Sequence, residues 1–188
     1  FSETGVGNLS VLDDLGKIMI LKKVLGQNKD ELKYFGRNIN KDGYISEIKS
    51  FMSELIQYGA DEDEIERMIK ASEKKPVLKY KLQDMSVAFM SFKEYIEKNY
   101  ITSEELLSVF ADVVSQSELL KGAVICLDGF TGFTPLQYRL LRELIKTAEM
   151  VYVTVTADDR ESVINKGKNY QLFFMSRKTV HNIRQIAS

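Results

Sequence analysis

Among 188 residues the sequence has a single cysteine and a single histidine, and these two shortages remove whole classes of chemistry. With no second cysteine there is no disulfide framework. One cysteine and one histidine cannot assemble the tetrahedral nitrogen and sulfur sets of structural zinc, nor hold an iron–sulfur cluster. Cys126 lies inside an apolar run and reads as a small buried hydrophobe of a reducing compartment. His181 has no carboxylate or nucleophile at a readable spacing, so it reads as a surface residue on a short helix with Val180, Ile183 and Ile186.

Long apolar runs are also missing. No stretch approaches the roughly 20 residues that span a bilayer, and no secretory signal is visible, so the expected setting is cytoplasmic, with no membrane partner. The formal charge of −1 excludes a globally basic nucleic-acid binder. Charge is nonetheless uneven: Arg160, Lys166, Lys168, Arg177, Lys178 and Arg184 face only Glu161 in the last stretch. That stretch reads either as a solvated face or as a surface that contacts phosphates. The chain opens on Phe1 with a loop-like FSETGVGNLS, which suggests a piece of a longer protein.

What is present is mostly helical periodicity. Ser10 with Asp13 looks like an N-cap and its partner, and Leu12, Leu15, Ile18, Met19, Leu21 and Leu25 form a broad stripe up to Gly26. After the polar stretch KYFGRNINKDG, residues Ile45, Ile48, Met52, Leu55 and Ile56 repeat the pattern until Gly59 stops it. Asp61 and Glu64 open a short acidic helix carrying Ile65, Met68 and Ile69. Pro76 suits the first turn of the next helix, where its missing N–H has no partner to lose. There Leu78, Leu82, Met85, Phe89, Phe92 and Ile96 alternate spacings of four and three along roughly 30 Å of helix. Such a seam packs within a helical bundle or against a coiled-coil partner. Thr102 and Glu105 form a capping box before Leu106, Leu107, Phe110, Val113 and Val114.

The character changes at Gly122. AVICLD is the kind of continuous apolar run found in strands buried on both faces. Thr134, Pro135 and Gln137 give an N-cap, a first-turn proline and a capping-box partner, and Leu136, Leu140, Leu141, Leu144 and Ile145 continue the stripe. MVYVTVT is a second strand. Strand, helix and strand in this order make a βαβ unit with parallel strands. The expected architecture is therefore α/β, with a helical subdomain over 1–121 and a partial parallel sheet over 122–188. Two strands leave sheet edges unsatisfied, so the second part is expected to belong to a larger sheet.

In open parallel sheets, ligands sit beyond the carboxyl ends of the strands, which is where Asp128 falls. The segment DGFTGFTPLQ resembles the second motif of superfamily 1 helicases, D-E-F-x-D-x-x-x-x-Q. Asp128, Phe130 and Gln137 match. Gly129 replaces the glutamate that polarises the attacking water and Gly132 the second aspartate, making this a degenerate Walker B strand of a P-loop NTPase fold. A glycine has no carboxylate to orient water, so hydrolysis at this site is expected to be severely impaired. No G-x-x-x-x-G-K-[ST] phosphate loop occurs in the chain. VTVTADDRES lies where such helicases carry a third motif, and it lacks the usual glutamine, with Arg160 near its place.

Over essentially its whole length the chain resembles the N-terminal, helicase-like region of the B subunit of AddAB-type ATP-dependent helicase–nucleases. The resemblance rests on LDGFTGFTPLQYRLLRELIKTAEMVYVTVT, the preceding SELLKGA, FSETGVGNLSVLDDLGKIMILKKVL with KDELKYF, and the closing LFFMSRKT. It implies a helical part comparable to the 1B subdomain of helicases. It also implies a role in double-strand break repair and recombination, with single-stranded DNA scanned for a hotspot and with a motor and nuclease partner completing a heterodimer. ATP, magnesium and an iron–sulfur cluster are implied for the parent protein; none is expected in this chain, which should carry no nuclease activity.

On this reading Lys166, Lys168, Arg177 and Lys178 are candidate DNA contacts. Phe130 and Phe133 either stack on bases or pack on the neighbouring helix, and Phe173 and Phe174 seal the sheet. Two other readings stay open: a competent triphosphatase whose acid comes from Asp158 or Asp159, and a helical interaction module without a nucleic-acid role.

Overall fold

A computed structural model describes residues 10–36, 39, 41–97, 100–158, 164 and 167–187. These fall into two compact units, one ending at Leu106 and the other starting at Leu107. The division lies inside one helix.

The first unit begins with β1 (Ser10–Leu12) and α1 (Asp14–Gln27). Ser10 is not the cap expected of it, because it belongs to a strand. Asp13 takes that role, its carboxylate accepting the Gly16 N–H at 2.7 Å. The buried face of α1 also differs from the expected stripe. Lys17, Leu21, Val24 and Leu25 are buried, whereas Leu15 and Met19 are each 64% exposed. The inward face is set by the helices that α1 packs on, and Leu15 and Met19 lie on the other side of its turn.

Helix α2 (Asp42–Gln57) buries Ile45, Ile48, Met52 and Leu55, and Gly59 ends it in the left-handed conformation at φ 71°. The Ala60 N–H then reaches back to the Leu55 carbonyl at 2.8 Å, a Schellman-type closure. Helix α3 (Glu62–Ala71) starts from Asp61, which accepts the Glu64 N–H, and buries Ile65.

Helix α4 (Pro76–Ile96) is the spine of this unit. Leu82, Met85, Phe89, Phe92 and Ile96 are buried, and α1, α2 and α3 all pack on α4. The seam is therefore used inside the bundle, although Leu78 at its start remains 41% exposed. Strand β2 (Tyr100–Thr102) lies parallel to β1, pairing Ser10 with Tyr100 and Leu12 with Thr102. Helix α5 (Ser103–Val113) follows, and the expected box is present: the Thr102 N–H and the Glu105 N–H each bond the other residue's side chain at 3.1 Å.

The second unit contains β3 (Val124–Leu127), α6 (Pro135–Thr147), β4 (Met150–Val153) and α7 (Phe174–Ala187). Strands β3 and β4 are parallel and in register from Val124↔Met150 to Leu127↔Val153. The βαβ reading holds. Burial on both strand faces does not: Val124 is 60% exposed, Met150 47% and Tyr152 53%, and Cys126 is exposed with them. Side chains alternate across a strand. Ile125, Leu127, Val151 and Val153 point to the half-buried side, and α6 packs on β4 with Leu136, Leu141 and Leu144 buried. Among the described residues nothing covers the opposite face, so the apolar character of Cys126 does not bury it.

Candidate functional site

The loop of residues 128–134 joins β3 to α6 at the carboxyl end of the two strands. Leu127 and Val153 are register partners, so the residues that follow them, Asp128 and Thr154, come side by side. The Thr154 hydroxyl donates to Asp128 Oδ1. The same hydroxyl accepts the Gly129 N–H at 3.3 Å, and the Thr154 N–H donates to the Leu127 carbonyl at 2.9 Å. No sequence motif marks Thr154, yet parallel strands of matched length are enough to place it beside Asp128.

Gly129 has φ 76°. An L-residue pays strain there however much room its side chain has, so at the position where the helicase motif carries glutamate the backbone itself favours glycine. Gln137 does not join Asp128. Its side-chain carbonyl accepts the Thr134 N–H at 2.8 Å and its own N–H bonds the Thr134 hydroxyl at 3.3 Å, completing the capping box of α6.

The rest of the loop is tied to α7. The Thr179 hydroxyl, on a residue 1% exposed, donates to the Thr131 carbonyl at 3.2 Å and accepts from the Tyr138 hydroxyl at 3.5 Å. Gly132 faces Met175 and Thr179. Phe130 and Phe133 stack on each other with centroids 4.8 Å apart, and Phe133 lies 5.4 Å from the Tyr138 ring of α6. Both rings are half-buried and already have aromatic partners.

Among the described residues there is no cage of protein ligands for a cation. A hard cation needs several oxygen ligands, and no group of three or more His, Cys, Asp or Glu side chains among the described residues could hold a metal. Asp128 offers one carboxylate, and Oδ1 of that carboxylate takes the Thr154 proton. One cysteine cannot ligate an iron–sulfur cluster.

The described candidate cations differ in exposure. Arg160, Lys166 and Asp159 lie outside the described residues. Lys168 is exposed, its ammonium 5.9 Å above the Tyr170 ring, and Lys178 is half-buried on α7. Arg177 is buried, 5% exposed, beneath the backbone of Gly167, where an added Cβ would lie 2.9 Å from the guanidinium carbon. It lines a cavity of about 110 Å³ with Ala157, Asp158, Gln171, Leu172 and Phe173. His181 is partly exposed on α7. Among the described residues no helix is long and apolar enough to cross a membrane.

Comparison with known proteins gives a family. The family model described as "ADDB, N-terminal" matches residues 1–188. The B subunit of the ATP-dependent helicase/deoxyribonuclease of Lachnoclostridium phytofermentans is 43% identical over 188 residues, covering 100% of this chain and 16% of that protein. The protein of the same name from Caldanaerobacter subterraneus is 35% identical over 173 residues, 91% of this chain and 14% of the relative. That from Clostridium novyi is 30% identical over 186 residues, 99% of this chain and 16% of the relative. The chain thus spans about a sixth of the length of the curated relatives it matches.

Proposed function

The chain belongs to the family of AddB N-terminal regions, and on that premise we propose that it is the helicase-like part of a helicase–nuclease subunit that has lost its own motor chemistry. In this reading the first unit is a 1B-like helical insertion. The strands β3 and β4 belong to a wider superfamily 1-type sheet with helices on both faces. The region contributes the path of single-stranded DNA, hotspot scanning and contacts with a motor and nuclease partner during double-strand break repair and recombination, in the cytoplasm. ATP, magnesium and any iron–sulfur cluster belong to other parts of the assembly.

The observation that carries the reading is Gly129 at φ 76°. The site lacks the carboxylate that would orient water, and its backbone is shaped for the residue that replaced it. Restoring the acid would place a side chain on a left-handed residue, at a cost of roughly 1–2 kcal/mol, without supplying the missing second aspartate.

The test is DNA-stimulated ATP hydrolysis by the full-length polypeptide with and without its motor partner. Asp128→Ala is expected to leave the rate unchanged, and Gly129→Glu to add no turnover. A fall to background on Asp128→Ala in the polypeptide assayed without its motor partner, the loss expected on removing a magnesium ligand, would overturn the proposal in favour of a competent triphosphatase.

A further inference from the structure

We propose that Asp128 is retained as a structural acceptor: with Thr154 it forms a strand-end clamp that holds the loop of residues 128–134, and Thr154 is the residue that positions it. The inference rests on the reading of this site as catalytically silent, and it explains why the acid survives there.

Three hydrogen bonds of Thr154 close on β3 and its loop. The hydroxyl proton goes to Asp128 Oδ1, a hydroxyl lone pair accepts the Gly129 N–H, and the backbone N–H donates to the Leu127 carbonyl. A threonine has one hydroxyl proton and two acceptor lone pairs, so the proton is fully committed. Threonine also suits the task because its β-branch restricts χ1, and little rotamer freedom is lost when the hydroxyl is fixed. The left-handed turn at Gly129 follows directly on the residue whose carboxylate is held.

The clamp fixes one end of the loop. The Thr134–Gln137 capping box fixes the other, and the Thr131 carbonyl is held in the middle by Thr179 of α7. The stacked Phe130 and Phe133 rings lie between these three anchors. A loop bonded at both ends and at its centre is a preformed platform.

This role needs an acceptor at position 128 and not a charge, which separates it from metal ligation. The Oδ1 of an asparagine accepts a hydroxyl proton as an aspartate does, but asparagine lacks the negative charge with which a carboxylate attracts a divalent cation. Conversely, a clamp is lost without the hydroxyl at position 154, whereas a carboxylate bound to a metal keeps its main partner.

The experiment is amide hydrogen exchange resolved over residues 129–133 in the full-length polypeptide, for Thr154→Val, Thr154→Ser, Asp128→Asn and Asp128→Ala, with and without Mn²⁺ as the cation probe. Thr154→Val and Asp128→Ala are expected to speed exchange of these amides up to roughly tenfold, the scale of one hydrogen bond. Thr154→Ser restores protection, Asp128→Asn stays close to the parent protein, and Mn²⁺ changes nothing. The clamp is wrong if Thr154→Val exchanges like the parent protein. It is equally wrong if Asp128→Asn loosens the loop as much as Asp128→Ala while Mn²⁺ protects the parent. Hydrolysis is not read in this experiment, so a failed clamp and a failed reading of the site as silent give different results.

Discussion

Lys17 Nζ lies 2.7 Å from Glu104 Oε2 and 2.9 Å from Oε1, and the two residues are 4% and 8% exposed although 87 positions separate them in the chain. The pair joins the start of α1 to the start of α5 inside the helical unit, with the Ser103 hydroxyl 3.3 Å from the same ammonium. Burial alone would push the Glu104 carboxyl up. Hydrogen bonds from Lys17 and Ser53, with the charge of Lys17, outweigh burial and hold it below the ordinary glutamate range.

Replacing one member strands the other in the interior. Lys17→Met is expected to cost about 3–5 kcal/mol in denaturant unfolding, and Lys17→Met with Glu104→Leu to recover most of that loss. Because the folded carboxyl titrates below its unfolded value, its contribution is complete above the unfolded value of about 4.3. It is lost as pH falls from there through the folded value. Unfolding midpoints of Glu104→Gln and the parent chain should therefore converge toward acid and diverge at neutral pH.

Asp84 is 1% exposed, and its carboxylate accepts the N–H groups of Lys33, Tyr34 and Phe35 at 2.9, 2.7 and 2.7 Å. It pins the turn after α1 to the spine helix α4. Asp84→Ala would leave these amides without their acceptor, at about 1–3 kcal/mol for each one that water cannot reach. The expected outcome is a loss on the order of 3 kcal/mol, with faster hydrogen exchange confined first to residues 33–35. Asp84→Asn, which keeps one carbonyl acceptor, should fall between the two.

Cys126 is exposed on the same strand face as Val124, Met150 and Tyr152. An apolar sheet face of this kind is normally covered in a parallel sheet. A maleimide should label Cys126 rapidly in the 188-residue chain. It should label slowly in the full-length polypeptide if β3 and β4 belong to a wider sheet with helices on both faces. Equal rates by mass spectrometry in the two would count against that wider sheet.

The sequence by itself determined the features whose partners lie within one turn. Asp61 with the Glu64 amide, Thr102 with Glu105, Thr134 with Gln137 and the left-handed Gly59 all act over three to five positions, so spacing alone reveals them. The parallel βαβ order was legible for a related reason, since a strand, a capped helix and a strand leave little topological choice.

Tertiary structure decided the rest. Which side of α1 turns inward depends on the helices it packs on, and this left Leu15 and Met19 outside and took Lys17 in. Asp84 meets its amides across 49 to 51 positions and Asp128 meets Thr154 across 26; no local period encodes such pairs. Cys126 shows the same limit: its apolar neighbours mark a strand, but only the presence or absence of a covering layer decides whether that strand is buried.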